Sequence, residues 1–273
     1  MGVLGAFVFA AQMMNIAIPG TGSSGHLGGG LLLAVLLGPH AALVVMASVL
    51  TIQAFFFADG GLLALGCNIF NLGFIPAFVA YPLVYRPLAG TQSTSPRTLV
   101  AVVAAAIVGL QLGALAVVLQ TTASGITSLP FRAFLLVMAP IHLAIGLMEG
   151  VATAAVISFV ARARPATLRR APVPLAAAAA PRPVLMVLLA VAALTVGVFS
   201  WWASSRPDGL EWATERVAGV PVWGGASGPA HEVLGGLQEA TAVLAPEPDA
   251  ARALPMSTSA ASLSGLVGGM IML

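Results

Sequence analysis

The sequence predicts an all-α integral membrane protein, a polytopic helical bundle, on three observations. Of its 273 residues, 59% are apolar and only 7% are charged, where a soluble domain carries roughly 25% charged residues. The first 85 residues hold a single formal charge, Asp59, too little to cover a surface in water. The apolar residues also fall in long runs, not in the period-2 alternation over about 10 residues that marks a membrane β-barrel. A soluble enzyme and a disordered chain are thereby excluded. A net charge of +2 with no broad basic face gives nucleic acid nothing to bind. Cys67 is the lone cysteine, so neither an intrachain disulfide nor a cysteine metal cluster is available.

Each span follows from the need for about 20 apolar residues to cross a hydrocarbon core of about 30 Å. Long runs lie at about 2–18, 39–58, 61–85, 98–122, 133–161, 183–202 and 257–273. A shorter run at about 26–37 follows a glycine-rich loop and predicts a short or tilted helix. Pro39 then opens the next helix, since proline is tolerated in a first turn. Gly146 and Gly150 form a G-x-x-x-G packing face.

Arginine sets the orientation in a multi-pass plasma-membrane protein. The connector at 162–182 carries Arg162, Arg164, Arg169, Arg170 and Arg182 without an acid, and is expected to be cytoplasmic. Arg86 and Arg97 bracket a connector on the same side. Residues 204–256 hold three Arg against seven acids and suit the outside, as do the Asp59 turn and the loop at 19–25; Arg132 alone dissents. Met1 and Leu273 are both expected to be cytoplasmic. Three parts follow: a core at 1–164, an Arg/Ala/Pro-rich linker at 165–182, and a module at 183–273 with two spans and an external loop.

The densest motif is Gly20-Thr21-Gly22-Ser23-Ser24-Gly25-His26-Leu27-Gly28-Gly29-Gly30. Its opening fits G-x-G-x-x-G, but no strand precedes it and no acid follows at the dinucleotide-binding distance. Gly22-Ser23-Ser24-Gly25 also fits the G-x-S-G of intramembrane serine proteases, with Ser24 as nucleophile and His142 as base. Against this, Gly146 and Gly150 sit one residue late for that histidine's usual glycine spacing. A third reading makes His26 a nitrogen ligand for Ni(II), Co(II), Zn(II) or Cu(II), and a fourth makes the segment a tight loop with no chemistry. Gln12, Asn15, Gln53, Asn68, Asn71, Gln111, His142 and Glu149 are further polar residues within spans. Buried there, they either serve function or bond helix to helix. Glu149, seven residues after His142, shares a helical face with it. His40 and His231 read as ordinary.

A longer string of motifs goes further. Gly2 to Asn15 (GVLGAFVFAAQMMN), Pro19-Gly20, Ser24-Gly25-His26-Leu27-Gly28-Gly29, Leu37-Gly38-Pro39, Asp59-Gly60-Gly61, Leu65-Gly66, Asn68-Ile69-Phe70-Asn71, Ile141-His142 and Glu149-Gly150 together resemble the CbiM/NikM family over about residues 2–161. These are the substrate-capture (S) components of energy-coupling-factor (ECF) transporters for cobalt and nickel. After the linker, Pro207-Asp208-Gly209-Leu210-Glu211 resembles the P-D-G-L-E motif of the companion N-type subunit, so the chain resembles a fused M–N protein.

The resemblance implies an S-component bundle plus two further helices, with Co(II) or Ni(II) as transported substrate and no organic cofactor. It also implies a non-enzymatic subunit working with a transmembrane coupling subunit and two ATP-binding cassette ATPases. With no lysine the chain itself has no P-loop. In the family three metal-binding nitrogens come from an M-H-I-P amino terminus and the fourth from the S-G-H-L histidine, here His26. Ser24, Asn68, Asn71, His142 and Glu149 are then candidates for the surrounding shell or pathway. The sequence opens Met1-Gly2-Val3-Leu4, without M-H-I-P, and that segment is expected upstream, through a late start or a fragment. Without it weak metal binding is expected, and a non-transporting structural or regulatory subunit is the alternative.

Overall fold

The computed structural model describes residues 1–89, 95–124, 129–163, 182–197, 204, 206–218, 229–241 and 258–273. Among these residues helices dominate, and four are long and apolar enough to cross a membrane. In chain order the elements are α1 (Gly2–Gln12), β1 (Ile16–Ala17), β2 (Ser24–Gly25), α2 (Gly30–Leu37), α3 (Pro39–Phe57), α4 (Leu65–Leu88), α5 (Pro96–Ser124), α6 (Phe131–Ala163), α7 (Arg182–Gly197), α8 (Gly209–Ala218), α9 (Pro229–Thr241) and α10 (Thr258–Met272). The linker expected at 165–182 lies outside the described residues except for Arg182, which opens α7.

The first expected span, 2–18, is corrected. Its helix stops at Gln12, and Ile16–Ala17 instead pairs antiparallel with Ser24–Gly25, Ile16 opposite Gly25 and Ala17 opposite Ser24. The reason is local. Pro19 fixes the backbone, and Gly20 and Gly22 turn it with φ of 78° and 84°, a left-handed conformation that favours glycine. The run at 26–37 forms the short α2, and Pro39 stands at the start of α3, both as expected. In α4 the stretch Ile69–Tyr85 winds as a π-helix around Pro76 and Pro82, which lack the N–H of an α-type ladder.

Small residues bring the helices together. A Cβ at Gly146 would lie 2.9 Å from the Ile107 Cα, and one at Gly150 would lie 2.8 Å from the Val103 Cα. The G-x-x-x-G face of α6 thus meets the backbone of α5. Helix α1 is buried along Gly5–Gln12, between α3 and the module helices α7 and α10. Gly268 of α10 receives the Phe9 ring. A Cβ at Gly2 would lie 2.9 Å from the Met272 carbonyl oxygen, so both ends of the chain meet at one end of the bundle. At the opposite end gather the 16–25 hairpin, the Asp59 turn and the start of the PDGLE segment.

Candidate metal site

His26 follows β2 directly, on a loop that would carry unsatisfied backbone groups into an apolar interior if nothing met them. Such groups must be met by protein, and two buried side chains meet them, one of them held by a third. The two Glu149 carboxylate oxygens accept hydrogen bonds from the Gly28 and Gly29 N–H groups, at 3.0 and 3.1 Å. Gln12 Nε2 donates to the Gly28 carbonyl at 2.8 Å, and Gln12 Oε1 accepts from Gln53 Nε2 at 2.9 Å. The chain Gln53–Gln12–Gly28–Glu149 ties α3, α1, the loop and α6 together. Glycine is required at the contact, because a Cβ at Gly28 would lie 2.7 Å from Glu149 Oε2. At Gly29, φ is 79° and a Cβ would lie 2.7 Å from Val8.

His26 is half-buried and its Nδ1 lies 3.2 Å from the Leu27 carbonyl oxygen. A carbonyl only accepts, so Nδ1 carries the proton in that bond and the neutral ring keeps its lone pair on Nε2. The ring lines a cavity of about 160 Å³ whose wall also includes Asn68, Asn71, His142, Glu149 and Asp208. Asn71 and Gln120 exchange hydrogen bonds at 2.9 and 3.2 Å, joining α4 to α5, and Asn68 Nδ2 donates to the Gly60 carbonyl at 3.2 Å, pinning the Asp59 turn. Both asparagines therefore join elements beside the cavity. Among the described residues, no three His, Cys, Asp or Glu side chains converge as a metal cluster.

The cavity is covered from the second module. Ser24 N–H donates to the Pro207 carbonyl at 2.8 Å, and Ser204 N–H donates to the Asn15 carbonyl at 2.7 Å. The segment thus runs alongside the hairpin, held through backbone groups. Ser24 Oγ donates to the Arg206 and Pro207 carbonyls at 2.7 and 3.2 Å. Next, Asp208 Oδ1 accepts from the Leu210 and Glu211 N–H groups, both at 2.8 Å. Glu211 Oε2 accepts from Asp208 N–H at 3.2 Å in return. This reciprocal pair is a capping box, and it starts α8. Burial, with the Asp208 carboxylate beside it, pushes the Glu211 carboxyl above its ordinary range. A Cβ at Gly209 would lie 3.0 Å from Ile141, 3.2 Å from Ile145 and 3.3 Å from His142 Cε1, so glycine lets the turn press onto α6.

The protease reading is corrected by these bonds. The Ser24 hydroxyl is spent on carbonyl oxygens of the PDGLE segment, and His142 Nδ1 lies 2.9 Å from the Met138 carbonyl of its own helix. Among the described residues nothing joins Ser24 to His142, so no nucleophile–base pair exists. Two pairs of residues around the site lay beyond the candidate set. Gln12 and Gln53 read as generic polar residues within spans, and only the fold shows that they hold the loop. Asp208 and Glu211 carried a local signal, an acid at each end of D-x-x-E, which reads as a helix start.

The chain has counterparts among known proteins. A family model described as CbiM, cobalt uptake substrate-specific transmembrane region, matches residues 1–167. The chain belongs to the CbiM family. A second model, the PDGLE domain, matches residues 182–273, in line with the fused arrangement. The putative fused nickel transport protein NikMN of Archaeoglobus fulgidus is 39% identical over 173 residues, which are 63% of this chain and 56% of that protein. The chain thus spans little more than half the length of that relative. The fused nickel transport protein NikMN of Rhodobacter capsulatus is 32% identical, covering 83% of this chain and 68% of its own. A crystal structure of a transition metal transporter matches with TM-score 0.50 at 32% identity, over 59% of this chain and 74% of that one. CbiM-family relatives are transport proteins, not enzymes. In keeping with its apolar helices, this member is a multi-pass membrane protein.

Proposed function

We propose that the chain is the metal-capturing S component of an ECF importer, taking up Co(II) or Ni(II) outside the cell and delivering it inward. Delivery is driven by two ATP-binding cassette ATPases acting through a transmembrane coupling subunit. One observation carries the reading. His26 sits on the wall of a cavity with Nδ1 turned to a carbonyl, which leaves Nε2 as a lone-pair donor, the form in which histidine binds these ions. Glu149 fixes the loop that bears it, and Ser24 seats the PDGLE segment over it. Asn68 and Asn71 brace the neighbouring wall. On this reading residues 1–164 form the capture unit and 183–273 the cover, joined by the 165–182 linker, with the carboxyl terminus cytoplasmic.

The test is cellular uptake of Co(II) and Ni(II) by the chain carrying the M-H-I-P opening of its family, together with coupling subunit and ATPases. His26→Ala is expected to abolish accumulation. Uptake at the unchanged rate removes His26 from the path. Uptake that persists without the ATPases removes the ECF mechanism.

A further inference from the structure

Helix α9, Pro229–Thr241, takes no part in the site, and its three sides are unlike one another. Its 13 residues have Gly235 and Gly236 at their centre, which makes a weak helix in water, since glycine disfavours helix and short isolated helices are marginal. Such a helix needs its apolar face buried. The bundle meets one side only. Gln238 Oε1 accepts a hydrogen bond from the Leu62 N–H at 2.9 Å, which fastens α9 beside the Asp59 turn, and the helix lies against α3. His231 and Leu234 share the side of Gln238 and are half-buried with it. At 3.6 residues per turn, Val233, Leu237 and Ala240 form a second side. It is apolar, yet Val233 is 70% exposed and Leu237 42%. Glu232 and Glu239 form the third, exposed and acidic. The three sides stand roughly 120° apart around the helix.

The level at which α9 is fastened says what covers the apolar side. Helix α3 has 19 residues, and at about 1.5 Å per residue it is about 28 Å long, close to the about 30 Å of a hydrocarbon core. Its end at Phe57 thus reaches the edge of the hydrocarbon, and Leu62 holds α9 just past that edge. Phe56 and Leu63, on either side of the edge, are exposed as well, so apolar surface continues from the span to the level of α9. A helix at this corner has three neighbours: the bundle on one flank, lipid below and water above. Those are the requirements of the three sides of α9, and they are the arrangement of an interfacial amphipathic helix. The polar side carries acids and no Lys or Arg, so apolar burial and the Gln238 tether, not attraction to anionic headgroups, hold it there.

We propose that α9 lies along the membrane surface at the Asp59 end of α3, with Val233 and Leu237 in lipid, and anchors the PDGLE module there. Cys67 is the lone cysteine, so Cys67→Ser gives a background free of native thiols. Into the full chain in that background go Val233→Cys, Leu237→Cys, Glu232→Cys and Glu239→Cys, each at an exposed position. Each carries a nitroxide, in nanodiscs of phosphatidylcholine, and electron paramagnetic resonance compares its collisions with oxygen, which concentrates in lipid, and with a water-soluble nickel chelate. Labels at 233 and 237 should lie about 5–10 Å into the boundary between headgroups and acyl chains and favour oxygen. Labels at 232 and 239 should favour the chelate. The unsubstituted chain gives a second measurement: phosphatidylcholine with a photoreactive acyl chain should crosslink within 229–241. Four labels that all favour the chelate overturn the proposal by leaving α9 in water. Labels at 233 and 237 shielded from both reagents overturn it in favour of a protein partner, such as a second copy of the chain. Four labels that all favour oxygen overturn it by sinking the helix into the bilayer, and an unsubstituted chain with no crosslink within 229–241 overturns it without any variant.

Discussion

The loop that carries His26 and the PDGLE segment that covers it are held by opposite means. The loop is fixed by buried side chains reaching in from helices: Glu149, Gln12 and Gln53 are 1%, 5% and 4% exposed, and each bond ends on backbone or on the next side chain. The PDGLE segment keeps its own shape through a capping box and docks through backbone N–H and C=O groups, the Ser23 and Ser24 hydroxyls and apolar packing of Trp212 and Ala213. Cutting a buried bond leaves an unsatisfied group with no water to replace it. Cutting a docking bond at the aqueous edge exposes groups that water can serve. The loop should therefore respond to substitution as part of the folded core, and the cover as a detachable part.

The largest expected effect breaks the loop. Glu149→Ala strips partners from two buried N–H groups at once, and should cost roughly 2–6 kcal/mol, since each such group is worth about 1–3 kcal/mol. Thermal unfolding in detergent should show a lower midpoint and metal capture should be lost. Glu149→Gln keeps the shape but offers one acceptor oxygen, so it should fall between the parent and the alanine variant. If both variants unfold like the parent, the clamp is not what fixes the loop.

Two changes should separate the cover from the loop. Gly209→Val adds a Cβ and two methyls where the Cβ alone would lie 3.0–3.3 Å from Ile141, Ile145 and His142. Overpacking of this kind costs about 1–3 kcal/mol, and lifting the turn relieves it. Protease cleavage within 204–218 should quicken while the membrane core keeps its unfolding midpoint. A lowered core midpoint would instead make the cover part of the core. Asp208→Ala removes the cap of α8 and should cost about 1 kcal/mol, read as increased amide hydrogen exchange over Gly209–Ala218. Unchanged exchange there would show that docking on α6, not the capping box, holds that helix.

The same division explains what could be read from the sequence. Hydropathy is local, so the four long spans were legible, and so were the Pro39 start and the Gly146–Gly150 face. The capping box spans four residues and was open to the same reading. The end of α1 at Gln12 was not, because residues 13–18 remain largely apolar while Pro19, Gly20 and Gly22 divert the chain into a hairpin. The site's own bonds join residues far apart: 121 positions separate Gly28 from Glu149 and 182 separate Ser24 from Arg206. No periodicity encodes such a partner. His26 was one of several readings of its glycine-rich motif until the family resemblance favoured it, while the uses of Gln12 and Gln53 needed the fold.

The smallest effect falls on Ser24, the residue that two earlier readings would treat very differently. Its hydroxyl gives hydrogen bonds to the Arg206 and Pro207 carbonyls, yet its backbone N–H also holds Pro207. Ser24→Ala removes only the first kind of bond. The side chain is buried, but the carbonyls it serves lie on a segment at the bundle's edge, where water can take its place. The loss should be about 0.5–1.5 kcal/mol of docking, seen as modestly faster cleavage within 204–218 at an unchanged core midpoint. Metal affinity at His26 should stay within about threefold of the parent, because the Glu149 clamp on the loop is untouched. A collapse of metal binding in Ser24→Ala would mean that the cover sets the loop's geometry, and the two regions would have to be treated as a single unit.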